Sequence, residues 1–267
     1  MAQRGVYTAK KKSGEVYYRA SFTYKNKHIS LGSFKTEKKA AEAYDFACKI
    51  IDNDDYTIEK LYKNMPLSFD KYIVIINFRD NNIYLPNPIY VRKKYFSYYI
   101  SEQEEMKFSM DDLFYYMSHR ILRRGGHLYV NDYGMQVSLG IRYGIKNYAV
   151  ENRDYRFVNG DSLDYRYENI EVMNTYNGVE SCVHNKKNCY RAKIHIVGDY
   201  VIGYYDDAIR AAIAYNKAID ILNMNGIKKG YSANYIESLS GKTYADIYSE
   251  LKISKAIRTL KADRLKL

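Results

Sequence analysis

Aromatic and β-favouring residues dominate Val16 to Tyr24, and a second extended run spans His28 to Phe34. Lys25-Asn26-Lys27 between them is polar and turn-prone, so the pattern predicts a β-hairpin, with Gly5-Val6-Tyr7 as a third strand. From Thr36 the period changes. Ala40, Tyr44, Ala47, Cys48 and Ile51 recur at helical spacing, with Thr36 placed as N-cap. The layout returns about 170 residues later, which marks an internal repeat. Gly178-Val179, Tyr190-Arg191-Ala192, Ile202-Gly203-Tyr204-Tyr205 and Ala211-Ala212-Ile213-Ala214-Tyr215-Asn216 match Gly5-Val6, Tyr18-Arg19-Ala20, Leu31-Gly32-Ser33-Phe34 and Ala40-Ala41-Glu42-Ala43-Tyr44-Asp45. In the second copy the turn falls at Val197-Gly198-Asp199, and Asp206 is placed as the cap of a helix. Ala208, Ala211, Ala212, Tyr215, Ala218, Ile219 and Leu222 face inward on that helix. Each copy is therefore expected to be a three-stranded antiparallel sheet with one helix against one face, and small alanines let the helix lie close.

The other face of each sheet is free, because side chains alternate along a strand. In the first copy it is expected to carry Arg19, Ser21 and Thr23, then His28 and Ser30, with Tyr7, Ala9 and Lys11 nearby. Such a face is polar, basic and short-chained, as a surface laid into a DNA major groove must be. Between the copies, residues 52–110 read as a linker with a few strands, including Tyr72 to Phe78. Past residue 229 two readings stand. One is a single basic amphipathic helix over 243–266. The other breaks at Lys252-Ile253, with Ser254 capping a second helix. Both turn Ile247, Leu251, Ile257 and Leu260 inward and Lys252, Lys255, Arg258, Lys261 and Arg264 outward.

Charge sharpens this picture. The chain has 267 residues and a formal net charge of +11. Residues 1–50 hold eleven Lys and Arg against four Asp and Glu, whereas residues 101–175 are net acidic. A basic segment at one end implies an anionic partner, with nucleic acid the default. Mean hydropathy is −0.52, and no apolar run is long enough to span a membrane. The first residues lack an apolar signal core, and three cysteines without a CxxC point to a reducing compartment, so a cytoplasmic location inside a host cell is expected. Cys182, His184, Cys189 and His195 lie near one another, but their spacing fits no standard zinc finger, and no metal or cofactor is expected.

Both copies resemble the AP-two/ERF DNA-binding domain, found in plants and in proteins of phages and bacterial mobile elements. The resemblance is carried by Gly-Val, the aromatic-Arg-Ala strand, Leu-Gly-x-Phe and Ala-Ala-x-Ala-Tyr-Asp. It is fuller in the first copy. It implies a sheet reading the major groove and DNA contacts from Arg4, Tyr7, Lys11, Arg19, Ser21, Thr23, His28 and Ser30. The second-copy equivalents are Arg191, Lys193 and His195, with Asp199 and Val201 on the same face. That face is read as either a second DNA contact or a docking surface.

Residues 155–174 resemble the HNH homing-endonuclease motif through Asn159-Gly160-Asp161, Leu163-Asp164, Arg166 and Glu168-Asn169-Ile170. The resemblance implies a ββα module over 111–175 with Asn169 on its short helix. The motif's general-base histidine is Phe157 here, its acidic metal ligand is Arg156, and the Asn after Leu-Asp is Tyr165. A phenyl ring cannot activate water, and a guanidinium repels a divalent ion. The module is thus expected to be a nuclease scaffold without its chemistry, unless a displaced centre uses His119 or His127. Tyr244 to Lys255 also resembles the small helix-turn-helix modules attached to phage homing nucleases. The expected architecture is α+β: modules at 1–51 and 176–229, the ββα module between them, and a basic helical segment at 230–267. The expected function is a non-catalytic, duplex-DNA-binding protein of a phage or mobile element. The alternative is an anti-defence inhibitor or adaptor, such as an anti-CRISPR protein, bound to a host nuclease complex.

Overall fold

In the computed structural model, which describes residues 4–60, 64–147 and 149–264, the chain is α+β and divides into two units. The first runs to Leu139 and takes in Asp161–Asn169; the second holds Gly140–Gly160 and the chain from Ile170 onward.

The first unit begins with the expected antiparallel sheet, β1 (Val6–Lys10), β2 (Val16–Tyr24) and β3 (Lys27–Phe34), in that order. Helix α1 (Glu37–Asp52) follows, and the Thr36 hydroxyl accepts a hydrogen bond from the Lys39 N–H at 3.3 Å, as an N-cap should. Ala40, Ala43 and Ala47 let α1 pack onto Ala20, Phe22, Ile29 and Leu31. Strands do follow within residues 89–109, but the strand-like reading of Tyr72 to Phe78 is overturned. Residues 69–81 form α2 (Phe69–Asn81), capped by Ser68 and closed by Asn82 in the left-handed region. Tyr72, Ile73, Val74, Ile75, Ile76 and Phe78 are all buried. A helix that is apolar on every side sits inside the core, and a short β-branched run cannot be told from a strand by periodicity. Arg79 ties the ends of both helices together, donating to the carbonyls of Ile50 and Tyr56, each at 2.8 Å. Asn77 pins the following turn by donating to the Ile83 carbonyl and accepting from the Val91 N–H. The first module thus extends well past residue 51.

Two further three-stranded antiparallel sheets complete this unit. One is β4 (Ile89–Val91), β5 (Tyr95–Ser101) and β6 (Glu104–Ser109), with the short α3 (Leu113–Ser118) after it. Phe96, Phe108 and Tyr116 form its aromatic centre. The other is β7 (Ile121–Arg124), β8 (His127–Asp132) and β9 (Met135–Ser138).

The second unit contains a two-stranded pair, β10 (Tyr155–Phe157) with β11 (Ile170–Val172), and the second copy of the repeat. That copy is β12 (Val179–His184), β13 (Lys187–His195), β14 (Asp199–Tyr205) and α4 (Ala208–Met224). Its helix cap is Asp207, whose carboxylate accepts from the Arg210 N–H at 2.7 Å; the expected cap, Asp206, lies one residue too early. The chain after residue 229 is two helices, α5 (Gly241–Glu250) and α6 (Lys255–Arg258), so the broken reading holds. It is an integral part of the module. Leu251, Ile253 and Ile257 are buried in the same core as α4, and the Lys217 ammonium holds the carbonyls of Tyr248 and Leu251. Among the described residues no helix is long and apolar enough to cross a membrane.

The two copies agree in detail. Gly5 and Gly178 both have φ near +70°, at +75° and +67°. A Cβ at either would collide with the matching tyrosine of the helix, Tyr44 or Tyr215. The Gly5 carbonyl accepts from the Ser21 N–H at 2.9 Å and the Gly178 carbonyl from the Lys193 N–H at 2.8 Å. Both sheets bulge at one place. Ala20 pairs with Gly32 while Ser21 pairs with Ser30, and Ala192 pairs with Gly203 while Lys193 pairs with Val201. The extra residues, Leu31 and Ile202, drop into their cores.

Candidate nucleic-acid interface

On the first sheet, Tyr7, Arg19, Thr23, His28 and Ser30 are exposed, as the alternation predicts. Tyr7 pairs directly with Arg19 across β1–β2, and Thr23 with His28 across β2–β3. The Arg19 guanidinium donates to the Tyr17 hydroxyl at 2.8 Å and lies over that ring. Among the described residues no carboxylate pairs with it. One expected position needs correction. Ser21 is buried, because the bulge and its bond to Gly5 break the strict alternation. Lys11 is paired with Glu15 at 2.7 Å across the β1–β2 turn. Arg4 is exposed, but its charge acts on Tyr44 and Cys48, on the helix side.

The matching face of the second module is electrostatically closed. Glu180 occupies the position that Tyr7 holds in the first, directly opposite Arg191. It is buried and forms an ion pair with Arg191, and its other oxygen lies 3.4 Å from the Lys193 ammonium. Asp199 completes the chain, 3.3 Å from Lys193 and 2.9 Å from His195. Hydrogen bonds from His195 and Lys193 hold the Asp199 carboxyl below its ordinary range, and the bond to Glu180 raises the Arg191 guanidinium. Arg191, Lys193 and His195 each already have a carboxylate partner. Val201 is half-exposed, but its carbonyl is taken by the Ser254 hydroxyl at 2.9 Å.

Residues 155–172 form a hairpin. β10 and β11 pair, with a 3-10 turn over Tyr167–Asn169 before the second strand. Val172 then leads to β12 with no helix between, so the helix of the expected ββα unit is absent from this stretch, and Asn169 sits on the 3-10 turn instead. The retained motif residues build the loop. Gly160 takes φ +76°, the Asp161 carboxylate accepts from the Leu163 N–H, and the buried Asp164 binds the Arg166 guanidinium at 2.8 and 2.6 Å. Asn169 donates to the Asp164 carbonyl at 2.8 Å. The loop is sewn to β6 by the Lys107 N–H to Leu163 carbonyl and Tyr165 N–H to Lys107 carbonyl bonds, and by a Lys107–Asp161 ion pair at 3.1 Å. Arg156 is matched across the strands by Glu171 at 2.6 Å, and Phe157 is buried against Ile170.

The remaining candidate groups are not gathered into a centre. His119 stacks on Tyr115, with its Nε2 3.4 Å from Asp132, while His127 is exposed at the start of β8. The Cys182 and Cys189 sulfurs face each other at 3.4 Å, His184 stacks on Tyr204 and His195 is held by Asp199. Among the described residues no group of three or more His, Cys, Asp and Glu is placed to hold a metal ion.

Two features escaped the sequence reading. The first is Glu180, although aligning the copies on Gly5 and Gly178 sets it against Tyr7. The second is the role of Asn216, which stands where the first copy has Asp45. Its side-chain amide donates to the Asn234 carbonyl at 2.9 Å and accepts from the Asn234 N–H at 2.7 Å, and Asn234 in turn holds Asn177. An aspartate could not donate there. No family model, curated protein or solved structure matches the chain.

Proposed function

We propose that the protein binds duplex DNA without cutting it. The β1–β2–β3 sheet enters the major groove in the manner implied by the AP-two/ERF resemblance, and the protein serves a phage or other mobile element. One observation carries the reading: Arg19 stands on an exposed sheet face, paired with Tyr7 on one side and Ser33 on the other, with no carboxylate partner among the described residues. An arginine so placed can donate its fork to a guanine edge without first breaking an ion pair. The surplus of positive charge over residues 1–50 supplies attraction to the backbone. The hairpin of the nuclease-like segment serves as scaffold, with Phe157 and Arg156 where a base and a metal ligand would stand.

The test is duplex binding by fluorescence anisotropy at low and moderate salt, for the unmodified protein and for Arg19→Ala. Affinity falls steeply with salt, and Arg19→Ala weakens it about tenfold, in keeping with the loss of one bidentate base contact. Absence of duplex binding at low salt would overturn the proposal.

A further inference from the structure

The second unit holds two adjoining cavities that share Lys146, Tyr176 and Asn177. The larger, of about 860 Å³, lies between residues 141–147 and 149–154 and the closed face of the second module, with Tyr176 and Tyr231 in its lining. The smaller, of about 460 Å³, is bordered by Tyr235, which is almost fully exposed. Sites for small organic ligands fall in this size range and pair aromatic walls with a few placed polar groups. The walls are fixed. Asn174 donates to the Arg153 carbonyl and the Asp154 carboxylate, and Asn234 clasps Asn177.

Among the cations of the lining, charge singles out one residue, and the Glu237 carboxylate borders the smaller cavity. Arg153 is paired with Asp154 at 2.6 Å, and Lys193 and His195 are held by Glu180 and Asp199. Among the described residues Lys146 has no ion-pair partner; its ammonium lies 5.8 Å from the centre of the Tyr176 ring. Desolvation lowers its pKa to about 8, with the more distant Asp154 charge only partly offsetting the effect. A desolvated ammonium beside an aromatic ring, at the junction of two tyrosine-bordered cavities, suits an anion attached to something flat.

We propose that these cavities form a nucleotide site, in which Lys146 pairs with the phosphate and Tyr176 and Tyr231 flank the base. Base–aromatic stacking with a cation on the phosphate is how proteins hold unpaired nucleotides without regard to sequence. The nucleotide is either a free monophosphate or one residue of a single strand, whose neighbour would lie in the smaller cavity beside Tyr235. This inference does not rest on the duplex reading, which concerns the other unit.

Calorimetric titration of the full chain tests it, with thymidine 5′-monophosphate, thymidine, inorganic phosphate and tetrathymidylate as probes. The monophosphate binds saturably, and thymidine and phosphate each bind at least about tenfold more weakly, because each lacks one of the two recognised parts. Tetrathymidylate binding more tightly than the monophosphate identifies a single strand as the natural source; equal binding identifies the free nucleotide. Lys146→Met weakens the monophosphate by about tenfold or more, the scale of a charged contact, while Lys146→Arg retains binding. Tyr176→Leu, which spares the lysine, narrows the preference for monophosphate over phosphate and keeps the test decisive if Lys146→Met misfolds. Nucleotide titration and duplex anisotropy are separate readouts, so failure of the duplex reading and failure of this one are separable. No saturation by monophosphate or tetrathymidylate at millimolar concentration, or phosphate binding as well as the monophosphate, overturns the proposal.

Discussion

Asn216 holds the second module's helix to the chain that follows it, through three contacts from one amide: two with the Asn234 backbone and one to the Tyr244 hydroxyl at 3.0 Å. Asn216→Asp replaces the donor by an acceptor facing the Asn234 carbonyl and buries a carboxylate. A loss of about 2–3 kcal/mol is expected in urea unfolding, the scale of a buried polar group left without its partner. The matching Asp45→Asn, on an exposed helix position, leaves stability nearly unchanged; equal losses at the two sites would contradict this account. Lys146 gives a second residue-scale prediction. Its folded pKa, about 8, lies below the ordinary lysine value of 10.5, so between these values the unfolded chain binds more protons. Its contribution to stability therefore rises with pH through that window. Lys146→Met is expected to be the more stable protein at pH 7, and its advantage to shrink between pH 8 and 10. The raised tyrosines act at higher pH and are common to both proteins. A gap that stays constant would show that the lysine is not desolvated.

At the scale of elements, the repeat was legible because several of the positions that define it have a steric or conformational job. Gly5 and Gly178 fit under a tyrosine ring at positive φ, and Leu31-Gly32 and Ile202-Gly203 form the bulge. Gly5→Ala and Gly178→Ala are each expected to cost more than about 1 kcal/mol, since the backbone strain and the collision add; Gly14→Ala, with open space around it, should cost less. Thermal melts of the three variants check the order. Helix α2 was not legible. Ile73 to Ile76 is four β-branched residues in a row, and only its packing against α1 and the first sheet makes it a helix. The closed face of the second module was half legible. Its Arg191, Lys193 and His195 were visible as cations, but their neutralisation by Glu180 and Asp199 depends on strand pairing that spacing does not reveal. Arg191→Ala is accordingly expected to lower stability, by leaving the buried Glu180 with fewer partners, while changing duplex affinity less than Arg19→Ala does. A larger affinity loss at Arg191 would reverse the ranking of the two modules.

For the whole molecule, the net charge of +11 makes salt the first variable to examine. Each phosphate contacted lowers the slope of log affinity against log salt by about 0.9, and removing Arg19 should change the affinity more than the slope if it reads a base. With magnesium, manganese or zinc present, the protein is expected to leave duplex DNA intact. Phe157→His alone should not introduce cleavage, because Arg156, paired with Glu171, still opposes a metal ion. Nicking by the unmodified protein that is lost in His119→Ala or His127→Ala would place a nuclease centre elsewhere.

The loop of residues 161–169 belongs with the first unit although the strands on either side of it belong to the second. On the ribosome, this means the first 139 residues emerge before their own fold can close. The backbone groups of Lys107 must wait more than fifty residues for Leu163 and Tyr165, and this delay in synthesis ties the birth of one unit to the arrival of the other. A chain ended by a stop codon after Leu139 is therefore expected to be less stable, residue for residue, than the same segment within the full protein. Hydrogen exchange at the Lys107 amide would register the difference first.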